Sequence, residues 1–379
     1  MKNKFLSLLM AVILLLLSLL SFLKLYGVDT ERKDNKISKK TQNGTQSDSE
    51  EKVRAVWIFY KELATDNPDK KAYEKKISEI FRTLEEEKYN VAFVQVRAFS
   101  DAFYRSEFFK PTKYLCGGDM PFDALEIICK YAKKYGVHVH AWINPYRVSY
   151  DKTEKVTESM LKTDSGIYYD PSSANVQMLI INGIREIIDN YEVYGIHLDD
   201  YFYPTDIGDA DKDSYIEYKK NGGTLETDAW RRSNVNNLIK EIYRTLKEKD
   251  ENLIFSVSPG ADIKKDYISY YADVYAWCGN KGYCDWIIPQ IYFGFKNSSM
   301  PFTKTLDSWE ALIKNDSVKL IPGLPAYKIG KEDAYAGEGK TEFIDSGKDI
   351  IKKQIKEVNS RKSCAGYSIY SYSYIKDIQ

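Results

Sequence analysis

Two adjacent carboxylates, Asp199 and Asp200, close the run Tyr194-Gly195-Ile196-His197-Leu198 and lead into Tyr201-Phe202-Tyr203-Pro204. Like charges held close together raise the pKa of one of them, so such a pair supplies one acid and one base near neutral pH. Hydrolysis of a glycosidic bond needs that division of labour. On a regular strand neighbouring side chains face opposite sides, so both can reach one substrate only where the strand stops. Asp199 is therefore expected to end its strand pointing inward, with Asp200 on the loop above it. In the alternative, Asp200 caps the loop and Asp199 acts alone.

The elements that must hold this pair begin at residue 53, where apolar strands alternate with amphipathic helices. The expected strands are Val53–Tyr60, Asn90–Arg97, Val137–Pro145, Tyr194–Asp199, Leu253–Ser258, Asp285–Tyr292, Val318–Pro325 and Ala365–Ser371. Helical patterns lie between them, as in Ala72–Glu87, Phe122–Tyr135, Val176–Tyr191, Trp230–Glu248 and Ser346–Ser360. Repeated strand–helix units imply parallel strands with right-handed crossovers. Eight of them close an α/β (β/α)8 TIM barrel more naturally than they fill an open sheet. No GxGxxG or GxxxxGK follows a strand, so the nucleotide-binding doubly wound sheet lacks its best support. Only Tyr372–Gln379 follows the eighth strand, which leaves the last helix short or missing.

Strand alternation separates core from site. In Val137-His138-Val139-His140-Ala141-Trp142-Ile143-Asn144 the odd positions are apolar and suit the helix layer. His138, His140, Trp142 and Asn144 then point into the barrel. The same rule turns Gln95 and Arg97 inward on strand two, and His197 and Asp199 on strand four. On strands five and six it selects Ser256, Ser258, Gln290 and Tyr292. Arg97, His140, Asn144, Asp199 and Gln290 gather in this way toward the C-terminal mouth, where barrel active sites form. A packed interior would carry valine or leucine at those positions.

Six segments stand in a recognisable order. They are Gln95-Val96-Arg97, His140-Ala141-Trp142-Ile143-Asn144-Pro145-Tyr146-Arg147, Gly195 through Pro204, Trp230 through Asn236, Ser258-Pro259-Gly260, and Pro289-Gln290-Ile291-Tyr292. Together they resemble the glycosyl hydrolase-like family 10 domain, a bacterial barrel family, over roughly residues 52 to 325. The resemblance implies glycosidase activity toward bacterial glycans. It also implies a pocket of Arg97, His140, Trp142, Asn144, Arg147, His197, Asp199, Asp200, Tyr203, Arg231, Asn234, Gln290 and Tyr292. One departure is Ser258-Pro259-Gly260-Ala261, where the family has an aromatic between proline and glycine.

Broader likenesses bear on mechanism. The run Gly195–Asp199 is similar to strand four of the α-amylase clan, which has its nucleophilic Asp at the position of Asp199. Strand five here offers Ser256 and Ser258 in place of that clan's acidic Glu. The run also resembles chitinase-like barrels, but their acid position is occupied by Tyr201. Adjacent carboxylates on strand four resemble substrate-assisted hexosaminidase barrels, in which the sugar's own N-acetyl group is the nucleophile. That likeness implies Asp200 as acid, Asp199 orienting the acetamido group, and an N-acetylated envelope glycan such as peptidoglycan as substrate. Arg97, Asn144 and Gln290 would then bond hydroxyls, while Trp142, Tyr203 and Tyr292 stack on sugar rings.

Two competitors remain open. A non-catalytic glycan-binding barrel would keep the aromatics and Arg97 but would need no paired acids. A metal-dependent amidohydrolase would use His138-Val139-His140, yet it needs further histidines on later strands and the chain has 3 in all. No metal and no cofactor is expected. The cysteines, Cys116, Cys129, Cys278, Cys284 and Cys364, are odd in number and form no CxxC. Cys278 and Cys284 are near enough in sequence to bridge in an oxidising compartment, and Cys129 sits in a buried helical stripe. Arg231 and Arg232 follow Asp228, a candidate N-cap, at a helix start that opposes their charge. At least one of them is expected to be held by a carboxylate beneath the Asp199 loop.

Charge and composition set the setting. Lysine plus arginine equals aspartate plus glutamate, 55 against 55, which gives no support to nucleic acid as a partner. Aromatics make up 14 % of the chain, with 31 tyrosines and 6 tryptophans, and rings with a polar edge suit sugar faces. Lys2 and Lys4 precede an apolar run from Phe5 to Leu23, long enough to span a bilayer. Residues 1–27 are expected to be an uncleaved signal anchor, or otherwise a cleaved signal peptide, and the basic flank leaves the remainder outside the cytoplasm. Residues 28–51 read as a polar linker and 52–379 as the barrel.

Overall fold

The computed structural model describes residues 51–199 and 202–378. The expected N-terminal membrane segment and nearly all of the linker lie outside those residues. Among the described residues no helix is long and apolar enough to cross a membrane.

The eight expected strands are all present, each shorter than its apolar run, the sixth by six residues. They are β1 (Val53–Ile58), β2 (Val91–Arg97), β3 (His138–Ile143), β4 (Gly195–Leu198), β5 (Ile254–Val257), β6 (Trp286–Ile287), β7 (Lys319–Leu320 with Gly323–Leu324) and β8 (Gly366–Ile369). Every neighbouring pair is parallel. β7 is broken at Ile321-Pro322, and its two halves face different neighbours. Lys319–Leu320 pairs with β6, whereas Gly323–Leu324 pairs with β8. Gly323 N–H donates to Pro289 O and Ser368 N–H donates to Pro322 O, both at 2.9 Å, so hydrogen bonds run on both sides of β7 and close the ring. The architecture is TIM-barrel-like.

Six longer helices, α1 (Lys70–Glu86), α2 (Ala124–Lys134), α3 (Ala174–Asn190), α4 (Thr227–Lys249), α5 (Phe302–Leu312) and α6 (Asp349–Ser360), pack outside the ring. α1 buries Tyr73, Ile77, Ile80, Phe81 and Leu84, one helical stripe. Its N-cap Asp69 accepts from Lys71 N–H. α4 begins one turn earlier than its apolar pattern, behind Glu226, so Asp228 sits in the first turn and is not the N-cap. Among the described residues β8 is followed by a 3-10 segment, Tyr372–Ile378.

The core is in two parts, as strand alternation requires. Ala55, Trp57, Val91, Phe93, Trp142, Trp286, Ile288 and Ile321 fill the barrel interior. Val56, Ile58, Ala92, Val94, Ala141, Ile143, Ile196 and Leu198 belong to the larger layer between ring and helices. A three-stranded antiparallel insertion (Arg147–Ser149, Met160–Lys162, Ile167–Tyr169) follows β3.

Candidate active site

A cavity of about 380 Å³ opens at the C-terminal mouth of the ring. Trp57 comes from β1, Gln95 from β2 and Trp142 from β3, while Asp199 directly follows β4. Gln290 follows β6, Tyr327 follows β7 and Tyr370 follows β8. Arg147 and Tyr150 enter from the insertion, and Phe59, Tyr60 and Tyr292 from other strand-end loops. Eight of these twelve residues are aromatic, and Asp199 is the only carboxylate among the described lining residues.

Asp199 is 5 % exposed and held from behind. Asn144 Nδ2 donates to its Oδ1 at 2.5 Å, and Gln95 Nε2 donates to Asn144 Oδ1 at 2.6 Å. Gln95 Oε1 in turn accepts from the backbone N–H of Tyr60 at 3.1 Å. Three strand ends are thereby tied to one carboxylate. Beside it the Arg147 guanidinium lies over the Tyr150 ring, 4.9 Å from its centroid. Tyr292, Tyr327 and Tyr370, which also line the cavity, form a mutual cluster with centroids 5.7 to 5.9 Å apart, and Tyr370 reaches Trp57 at 5.9 Å.

The expected site residues divide. Asp199, Trp142, Arg147, Gln290 and Tyr292 line the cavity, with Asn144 directly behind Asp199. Asp200 lies outside the described residues. Arg97, His140, His197, Tyr203, Arg231 and Asn234 were expected in the pocket, but none of them lines the cavity.

Arg97 is displaced by a β-bulge. Gln95 pairs with Trp142, but Arg97 pairs with Ile143, so one residue is gained and Arg97 takes the outward parity of Ile143. There it lies over the Phe109 ring at 4.5 Å and donates to Pro145 O at 3.3 Å. Tyr203 sits under the loop after β4, where its hydroxyl donates to Asp211 at 3.1 Å. Arg231 grips the same carboxylate with two nitrogens, at 2.8 and 2.5 Å, and also reaches Tyr271 Oη and Gly208 O at 2.7 Å. This is the expected carboxylate restraint on the start of α4. Arg232 instead stacks on Tyr267 at 4.1 Å.

His140 and His197 do point inward, but one layer below the cavity. Both are fully buried and both stand 2.9 Å from Ser256 Oγ through Nδ1. Burial pushes His140 down to about 3, with His138 adding to the effect. Burial, then the neighbouring His140, drives His197 well below the ordinary imidazole range. His138 is exposed at the other end of β3 and stacks on Tyr194 at 4.2 Å. The three imidazoles therefore do not converge on the cavity, as an amidohydrolase centre would require. Among the described residues no group of three or more His, Cys, Asp or Glu is arranged to hold a metal ion.

The strand-end aromatics Trp57, Phe59, Tyr60, Tyr327 and Tyr370, and Tyr150 on the insertion, were not among the expected residues. For Trp57 the signal was available, since alternation along Val53-Arg54-Ala55-Val56-Trp57 puts it inward near the strand's end. The five cysteines are free thiols, and Cys278 and Cys284 are both buried in the outer layer rather than bridged.

The glycosyl hydrolase-like 10 family model matches residues 52–337. The chain belongs to this family. Glycosyl hydrolase YngK of Bacillus subtilis is 31 % identical over 320 residues, covering 75 % of this chain and 62 % of its own length. This chain thus spans less than two thirds of that relative. Glycosyl hydrolase DigH of Escherichia coli K12 is 27 % identical over 327 residues, 76 % of this chain and 73 % of DigH. Among solved structures, the PgaB (BpsB) glycoside hydrolase domain from Bordetella bronchiseptica superposes with a TM-score of 0.55 at 12 % identity, covering 86 % of this chain and 96 % of that domain. Alpha-L-fucosidase isoenzyme 2 from Paenibacillus thiaminolyticus gives 0.57 at 13 % identity, over 86 % and 49 %. At such identities the superpositions establish the shared fold alone.

Proposed function

We propose that this family member is an extracytoplasmic glycoside hydrolase that cleaves an N-acetylated bacterial envelope glycan of the peptidoglycan kind, with Asp199 and Asp200 as its carboxylates. The observation that carries this reading is the single described carboxylate, Asp199, set by Asn144 in a cavity walled by eight aromatic rings. Aromatic faces accept the apolar faces of pyranose rings, while Gln95, Gln290 and Arg147 offer polar contacts to substituents. The names of YngK and DigH, both glycosyl hydrolases, agree with it.

In this mechanism the acetamido oxygen of the substrate attacks the anomeric carbon as the glycosidic C–O bond breaks. Asp200 gives its proton to the leaving oxygen, and Asp199 orients the acetamido group and faces the positive charge that develops on it. Water, deprotonated by Asp200, then opens the cyclic intermediate. The expected N-terminal segment would tether the enzyme to the cell membrane with the barrel outside, or release it after cleavage. Neither a metal nor a cofactor enters the scheme.

Release of reducing ends from purified peptidoglycan and from N-acetylglucosamine oligosaccharides tests it. Asp199→Asn and Asp200→Asn should each lower turnover by at least a hundredfold, the scale of general acid–base catalysis. Near-wild-type turnover by Asp200→Asn removes Asp200 as the acid. Glycan binding by the wild-type chain with no reducing ends released would make it a binding barrel.

A further inference from the structure

Beneath the cavity floor lies a buried polar column that the proposed chemistry does not use. Trp57 Nε1–H donates to His197 Nε2 at 3.0 Å. An indole nitrogen can only donate, so His197 Nε2 must be unprotonated and its proton sits on Nδ1. That Nδ1–H points at Ser256 Oγ, 2.9 Å away, and Ser256 Oγ also meets His140 Nδ1 at 2.9 Å and Ile196 O at 3.3 Å. The His197 ring is clamped flat against Phe93, with centroids 4.1 Å apart and planes 19° from parallel. Trp142, the second cavity-floor indole, meets the same imidazole edge-on at 6.1 Å.

We propose that His197 is a positioning residue that sets the Trp57 indole as the saccharide-stacking floor of the cavity. Three facts carry this. His197 supplies the acceptor for the buried Trp57 N–H, and a buried N–H left unpaired costs free energy. Gly323 on β7 leaves room for the far edge of the indole: a Cβ there would stand 2.8 Å from Trp57 Cη2. The ring is thus held by a hydrogen bond at one edge and a matched gap at the other. Finally, His197 stands in β4 two residues before Asp199, which directly follows that strand, so one short segment places both the floor and the carboxylate. The inference rests on the proposed function only in treating Trp57 as a sugar platform.

The test uses the full chain labelled with 15N at its tryptophan indoles, with the Trp57 signal assigned from Trp57→Phe. His197→Phe keeps an aromatic ring against Phe93 but removes the acceptor; His197→Gln keeps an acceptor. In the free protein His197→Phe should shift the Trp57 indole N–H resonance, and His197→Gln should bring it back toward the wild-type position. By titration calorimetry with an N-acetylglucosamine hexasaccharide, His197→Phe should weaken binding about tenfold and His197→Gln less than threefold. An unmoved Trp57 resonance in folded His197→Phe overturns the proposal, as does a moved resonance with unchanged affinity. Should His197→Phe not fold, Gly323→Ala displaces the same ring from its other edge. It must then shift the resonance and weaken the hexasaccharide, and failure to do either overturns the platform role. Absence of hexasaccharide binding by the wild-type chain defeats the proposed substrate instead, while the indole resonance still decides whether His197 sets Trp57.

Discussion

Asn144 hands Asp199 a hydrogen-bond donor whose direction is imposed from a backbone amide two links away. Tyr60 N–H can only donate, so it takes Gln95 Oε1 and turns the Gln95 amide nitrogen toward Asn144 Oδ1. Asn144 is left to present its own nitrogen to Asp199 Oδ1 at 2.5 Å. The relay crosses from the loop after β1 through β2 and the end of β3 to the end of β4. Gln95, inside β2, ties this relay to the barrel's ring.

Removing that donor should therefore cost activity more than stability. Hydrogen bonds to charged groups contribute about 1.5–3 kcal/mol, so Asn144→Ala should lower kcat/KM for reducing-end release by roughly ten- to a hundredfold. The melting curve should change less, because Asn144 lies at the strand's end. Unchanged kcat/KM would mean that Asp199 is aimed by other contacts.

The buried histidines make the fold sensitive to acid. The folded His140 pKa, about 3, lies below the ordinary value of 6.5. Between those values the unfolded chain binds a proton that the native chain does not. The stabilisation is thus complete above about pH 6.5 and declines toward pH 3, by up to about 1.4 kcal/mol per pH unit. Urea midpoints at pH 7 and pH 5 should fall more steeply for the wild-type chain than for His140→Gln. Parallel falls would show that the acid sensitivity comes from elsewhere.

The Arg231–Asp211 pair is a structural clamp, with side chains 9 % and 1 % exposed. Burial pulls the Arg231 guanidinium down, but the Asp211 carboxylate and the Tyr271 hydroxyl outweigh it and hold it above its ordinary value. Arg231→Ala leaves Asp211 buried without its cation and should destabilise by about 3–5 kcal/mol in urea unfolding. Turnover of the remaining folded fraction at low temperature should stay near wild type. A selective loss of kcat with no loss of stability would move Arg231 into the catalytic machinery.

Gly323→Ala probes the cavity floor from β7. The added methyl meets the Trp57 ring at 2.8 Å and Pro289 O at 3.3 Å, and overpacking of this kind costs about 1–3 kcal/mol. Thermal melting should register that loss. A variant as stable as the wild type would show that the indole yields easily.

Much of the site was legible because β alternation is a strict rule. Trp142, Asn144, Asp199 and Gln290 each fall where period-two counting puts them. Arg97 escaped the same count through one bulge, since a single extra residue reverses parity and leaves no mark in composition. His140 and His197 obeyed parity but not depth. Alternation tells inward from outward, whereas the stagger of strands around the ring decides which inward layer meets solvent. Tyr203 belonged with Asp211 and Arg231, a partnership between segments that share no sequence pattern.

The order of the eight strands, and the inward position of Asp199 directly after the fourth, were legible in the sequence alone, because periodicity and strand-end position are local properties. Which side chains meet above that centre was decided only in three dimensions. Trp57, Tyr327 and Tyr370 come from the two ends of the chain and become neighbours only when β7, split at Ile321-Pro322, bonds to β6 on one side and β8 on the other. Ring closure brings those distant ends together. No local pattern encodes a contact that exists only once the ring is complete.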